Sequence, residues 1–163
     1  PNTSFVCGNA LEVDRYYAPN SVSLVYLFNV IYAIRDKALL LTKLSSITHK
    51  GGLIVLFDYA QTNADIDNTL NDLANKPMYP ITLNTIQHCL TDSGWEMLEM
   101  IDMTQHYIRW YYDLLIELDN PGPDIQTEFL EEDMQKVKKT FASLYELLKQ
   151  GQLKGTLIYA KKL

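Results

Sequence analysis

Apolar residues in this chain fall into two patterns: short unbroken runs and stripes at helical spacing. Residues 3–7 (Thr-Ser-Phe-Val-Cys) form a first run, broken by Gly8-Asn9. Residues 22–28 (Val-Ser-Leu-Val-Tyr-Leu-Phe) form a second, and Leu53 to Phe57 a third. Each predicts a strand. The lack of polar alternation in the second and third predicts burial on both faces, as in the middle of a parallel sheet. Between them, Asp36 is placed to cap a helix carrying Leu40, Leu41, Leu44 and Ile47, which His49-Lys50-Gly51-Gly52 then stops. Strand, helix, strand is the crossover that parallel neighbours require, and it is right-handed in nearly every known case.

Further on, residues 64–75 carry Ile66, Leu70 and Leu73 and predict a helix, with a break at Lys76-Pro77-Met78-Tyr79-Pro80. Thr82 or Asn84 then caps a helix with Ile86, Cys89 and Leu90, ended by Ser93-Gly94. Trp95, Met97, Glu99, Ile101 and Met103 are expected on one face of a strand. Residues 106–118 hold a dense aromatic cluster, followed by Pro-Gly-Pro at 121–123. Leu130, Met134, Val137, Phe141, Leu144 and Leu148 step by three and four along one helix face. After Gly151, Lys154 to Lys161 predicts a closing strand.

At 163 residues the chain reads as one domain, and its apolar share, close to half, supports a real core rather than disorder. The formal charge of −6 and the short basic clusters (Lys136, Lys138, Lys139; Lys161, Lys162) argue against a nucleic-acid surface. Cys7 and Cys89 lie far apart, outside any metal-like spacing and inside apolar runs, so buried, reduced thiols and a cytoplasmic setting are expected. His49, His88 and His106 do not cluster with them, so no metal site is expected. No stretch reaches the ~20 apolar residues of a membrane span, and the start has no signal-peptide pattern.

Several motifs resemble one family in its own order and spacing. Phe5-Val6-Cys7-Gly8-Asn9-Ala10-Leu11-Glu12 resembles the third-strand Gly-Asp-Ala motif of class I S-adenosylmethionine-dependent methyltransferases. Asn20 to Tyr26 is similar to their fourth strand, Asn29 to Ile34 to the segment after it, and Lys50-Gly51-Gly52-Leu53 to Tyr59 to their Pro-Gly-Gly fifth strand. Asp58-Tyr59, Ser93-Gly94-Trp95, Asp102-Met103-Thr104 and Gly155 to Lys162 are similar to small-molecule N-methyltransferases such as the phosphoethanolamine and sarcosine/dimethylglycine enzymes. The resemblance implies an α/β fold: a Rossmann-like, mostly parallel sheet with helices on both faces, and a helical insertion or lid at residues 105–153 before the last strand. The whole chain, 1–163, would be the C-terminal portion of that domain. The family's first two strands, with their glycine-rich loop and ribose-binding acid, have no counterpart here. A fragment, or a second chain covering the edge of strand 22–28, is therefore expected. Where the phosphoethanolamine branch has an Asp and a His, this chain has Asn29 and Ala33, so that acceptor is not expected.

For function, the resemblance implies S-adenosylmethionine as cofactor and transfer of its methyl group to a small molecule, at nitrogen. Such transfer is chiefly a matter of alignment and water exclusion, so no catalytic triad is needed. The resemblance assigns Asn9, Ala10 and Leu11 to the adenine, and Phe28 and Asn29 to the methionine part. It assigns Tyr32, Tyr59, Tyr79, Tyr107 and Trp110 to the acceptor, with Tyr59 nearest the chemistry. Bland readings stand beside these: a Gly-Asn turn at 8–9, Phe28 as core, Tyr59 as a packing residue, Tyr107 and Trp110 as filler under the insertion. The rival function is a non-catalytic, methyltransferase-like assembly module.

Overall fold

In a computed structural model, strands β1 (Val22–Phe28) and β2 (Thr48–Gln61) lie side by side and parallel, paired from Leu24–Leu53 to Phe28–Phe57. Residues 2–62, 78–120, 122 and 131–163 are described; the helix expected at 64–75, the Lys76-Pro77 break and Leu130 fall outside them. The crossover is helix α1 (Lys37–Ile47), whose first turn is capped by the Asp36 carboxylate accepting from the Leu39 N–H at 2.9 Å.

The glycines do not end this helix, as expected, but sit inside the next strand. Pairing starts at Thr48, whose N–H and hydroxyl both turn back onto the last carbonyls of α1. Residues 49–52 then bulge opposite Ser23, with Gly51 at φ 79°. A Cβ on Gly52 would meet the Thr48 methyl at 2.6 Å, so the bulge requires glycine there.

The remaining strands are β3 (Ile81–Thr82), β4 (Trp95–Asp102) and β5 (Lys154–Lys162), and the sheet order is β1-β2-β5-β4 with β3 beside the end of β2. All point one way except β5, antiparallel to both its neighbours. Helix α2 (Leu83–Asp92) joins β3 to β4, with Thr82 at its N-cap position and Gly94, at φ 85°, beyond its end. Helices α3 (Thr104–Asp119) and α4 (Glu131–Lys149) lie between β4 and β5. The sheet is mostly parallel in direction, with helices on both faces, as expected.

The core has two parts. On one face Val25, Ile54, Leu56, Ile158, Ala160 and Trp95 pack against α1 and α2, and the Trp95 indole N–H donates to the Leu41 carbonyl at 3.0 Å. On the other, Tyr59, Tyr107, Tyr111, Leu144, Leu147 and Leu148 pack under α3 and α4.

Three expectations need correction. Strand β1 is not buried on both faces: Leu24, Tyr26 and Phe28 are 56, 58 and 52% exposed, since α3 and α4 reach only part of that face. Residues 3–7 are not a strand, because no described strand pairs with them, and Cys7 is exposed rather than buried. Trp95, Met97, Glu99, Ile101 and Met103 do not share a face. A bulge at Leu98 shifts the register, so Met97 opposes Ala160 while Glu99 opposes Tyr159, whose side chain lies on the other face. Among the described residues, no helix is long and apolar enough to cross a membrane.

Candidate functional site

The carboxyl ends of β1 and β2 meet where Phe28 pairs with Phe57, and their rings stack at 4.7 Å and 7°. The next residue, Asn29, has φ 49°, a left-handed conformation that asparagine tolerates better than most residues. Its N–H donates to the Phe57 carbonyl at 2.8 Å. The chain then makes a short 3-10 turn, Ile31–Ala33.

Asp58 holds that turn in place. One carboxylate oxygen accepts from the N–H groups of Val30 and Ile31 at 2.7 Å each and of Tyr32 at 3.4 Å; the other accepts from the Tyr59 N–H at 2.7 Å. The side chain is fully buried. Burial raises its pKa to about 6, and the four N–H donors hold it from rising further.

Helix α3 closes the site from above. The Tyr107 ring stacks on Phe57 at 5.1 Å, and its hydroxyl donates to Asn29 Oδ1 at 2.5 Å. Phe28, Asn29, Phe57, His106, Tyr107 and Trp110 line a mainly apolar pocket of about 330 Å³. Behind it, the Tyr59 ring packs edge-on against Tyr107 and Tyr32, and its hydroxyl shares a hydrogen bond with that of Tyr111. Burial pushes the Tyr59 and Tyr107 phenols well above their ordinary range and Tyr111 to about 12, so all three stay neutral and serve as hydrogen-bonding groups rather than bases.

Gly155 on β5 is what lets Tyr107 reach Asn29. A Cβ there would meet the Tyr107 ring at 2.3 Å. Gly155→Ala is expected to displace the ring, break its bond to Asn29 and cost about 1–3 kcal/mol in urea unfolding. An unchanged midpoint would mean that the ring has room to move.

Aromatic faces around a few polar groups suit a small organic cation, which the ring quadrupoles attract. Of the residues expected at a site, Phe28, Asn29, Tyr107 and Trp110 come together here. Tyr32 and Tyr59 form the layer behind, outside the lining. Tyr79 lies elsewhere, in a cleft with Gln61, tied to the Tyr32 carbonyl through its N–H at 2.6 Å. Asn9 and Ala10 line a separate cleft with Tyr16 and Tyr17, while Leu11 packs toward the core. The Asn9 carboxamide oxygen accepts from the Leu11 N–H at 3.0 Å, which leaves its amide nitrogen as the group with donors to offer.

Three residues of the site escaped prediction from sequence. Phe57 follows from the register with Phe28. His106 shares a helix side with Trp110, four residues on. Asp58 is the acid that interrupts an apolar strand.

No family model and no curated protein matches the sequence. Solved structures do. Phosphoethanolamine N-methyltransferase 2 of Haemonchus contortus, bound to phosphomonomethylethanolamine and S-adenosylhomocysteine, superposes with TM-score 0.83 at 15% identity, over 94% of this chain and 36% of its own. A Galdieria sulphuraria protein described as a sarcosine dimethylglycine methyltransferase gives 0.78 at 16%, over 95 and 57%. The cyclopropane synthase MmaA2 of Mycobacterium tuberculosis gives 0.76 at 12%, over 88 and 56%. The chain thus spans little more than a third of the first of these and just over half of the others. The architecture that β1, β2, β5 and β4 build with their helices is the Rossmann-like fold of the class I S-adenosylmethionine-dependent methyltransferases.

Proposed function

We propose that this chain forms the acceptor side, and part of the donor side, of an S-adenosylmethionine-dependent methyltransferase that methylates a small molecule at an amine nitrogen. The observation that carries this reading is the aromatic pocket at the carboxyl ends of β1 and β2, the rim where open α/β sheets hold ligands. Its lining fits a positively charged centre: three rings from Phe28, Phe57 and Trp110, with a phenol and a carboxamide locked to each other.

When bound, S-adenosylmethionine supplies a methyl group on a positively charged sulfur. The Asn9 amide nitrogen would donate toward the adenine with Ala10 beside it, while Leu11, packed toward the core, would support that cleft from behind. Phe28 and Asn29 hold the methionine end. Tyr107, fixed by Asn29, and Trp110 would orient the amine, and the rings would keep water out. Tyr59 and Tyr32 act from behind by holding Tyr107 in place. Helices α3 and α4 serve as the lid, and the free thiols of Cys7 and Cys89 fit a cytoplasmic setting.

The exposed apolar face of β1 favours a second reading, an assembly module whose partner covers Leu24, Tyr26 and Phe28. One experiment separates the two. The full-length polypeptide is incubated with methyl-labelled donor and a panel of primary, secondary and tertiary amines beside carbon and oxygen acceptors. Label on an amine is the expected result. Label confined to carbon or oxygen acceptors refutes N-methylation, and no transfer to any acceptor supports the assembly module.

A further inference from the structure

A second cleft, sharing no residue with the aromatic pocket, opens between the N-terminal ends of α1 and α2 and the end of β2. Its volume is about 550 Å³, enough for a small metabolite. At its base lies Gln61, the last residue of β2, which is 3% exposed. The Gln61 Oε1 is buried and meets no hydrogen-bond donor among the described residues. A buried acceptor left without a donor is costly, and native structures rarely keep one without a use for it.

The walls add positive potential. Thr82 occupies the N-cap position of α2 and makes no side-chain capping bond. The positive end of the helix favours an anion. Arg35 is exposed at the rim. The Lys37 Nζ donates to the carbonyls of Ile34, at 2.9 Å, and Tyr79, at 2.5 Å, on the same wall. Asp36, a carboxylate on the lining, faces the first turn of α1, where it accepts from Leu39.

We propose that this cleft binds a small oxyanion with a hydroxyl beside it, the 2-hydroxycarboxylate class. The oxyanion sits at Arg35, near the positive end of α2, and the hydroxyl donates to Gln61 Oε1. A hydroxyl fits better than an ammonium, because Arg35 and the positive end of α2 repel a cation. This site is independent of the methyl-transfer reading and stands or falls separately from it.

The test is a calorimetric titration of the full-length polypeptide with glycolate and with acetate, which lacks the donor. Glycolate is expected to bind about fivefold more tightly, the worth of one hydrogen bond. Gln61→Leu, similar in size, should bring the two ligands to equal affinity. Arg35→Ala, at an exposed position, should weaken both by about tenfold. Thermal melting of each variant confirms that it is folded. Equal affinities in the unaltered protein mean that a water suffices for Gln61, and they overturn the proposal. So does the absence of saturable binding by either ligand, or an Arg35→Ala protein that binds as before. These outcomes hold whether or not Gln61→Leu folds.

Discussion

Asp58→Ala is expected to lower the stability of the fold by about 3–5 kcal/mol, because it leaves the N–H groups of Val30, Ile31 and Tyr59 without the acceptor each now meets at 2.7 Å. Asp58→Asn keeps the shape but turns one acceptor into a donor facing donors, so it too destabilises, by roughly half as much. The two variants also differ in pH dependence. In the folded protein the carboxyl titrates at about 6, against 3.8 for the free group. The folded state therefore binds this proton more tightly than the unfolded state does. The stability from that proton is fully present below pH 3.8 and is lost as pH rises through about 6, some 3 kcal/mol in all. Urea unfolding between about pH 4 and 7 should show this slope in the unaltered protein and not in Asp58→Asn. Parallel slopes in the two proteins would show that Asp58 titrates normally and is not desolvated.

Under the proposed N-methylation, Trp110→Ala should cut kcat/KM for an amine about tenfold in the full-length protein, the worth of a partly desolvated cation–π contact. Its effect on stability should stay within about 0.5 kcal/mol, since the side chain is 51% exposed and makes its ring contact with Tyr111 at 4.8 Å. Trp110→Phe should recover most of the lost activity by restoring a ring face. A steady-state comparison of the three proteins decides it. Unchanged kcat/KM in Trp110→Ala would reduce this tryptophan to a surface residue and move the acceptor elsewhere.

The parts of this fold that the sequence made legible are those governed by local rules. The β1-α1-β2 crossover could be read because two apolar runs flank a helical stripe with an aspartate at its head, and that aspartate does cap the helix. The sheet direction and the helices between β4 and β5 were legible for similar reasons, aided by motif order. What could not be read depends on pairing. The bulge at Leu98 exists only against β5 and reverses which half of β4 faces the helices. The exposed side of β1 reflects how far α3 and α4 extend, which no pattern within Val22–Phe28 encodes. The same holds for the site. Phe28, Asn29, Tyr107 and Trp110 were identifiable by position, but Phe57 joins them through register and Asp58 through bonds to a turn some 28 residues earlier in the chain. Tyr79 looked equivalent to the other tyrosines, yet its backbone ties to Tyr32 and Lys37 carry it to a different cleft.

Because one buried carboxylate anchors the turn after β1 to the neighbouring strand, the floor of the pocket inherits its geometry from the sheet, whereas its roof, Tyr107 and Trp110, belongs to a helix outside it. The two halves can diversify at different rates. Libraries randomised along the exposed positions of Thr104–Asp119 should reshape the pocket while preserving the platform beneath, so this helix is where a designer would begin to alter what the pocket holds.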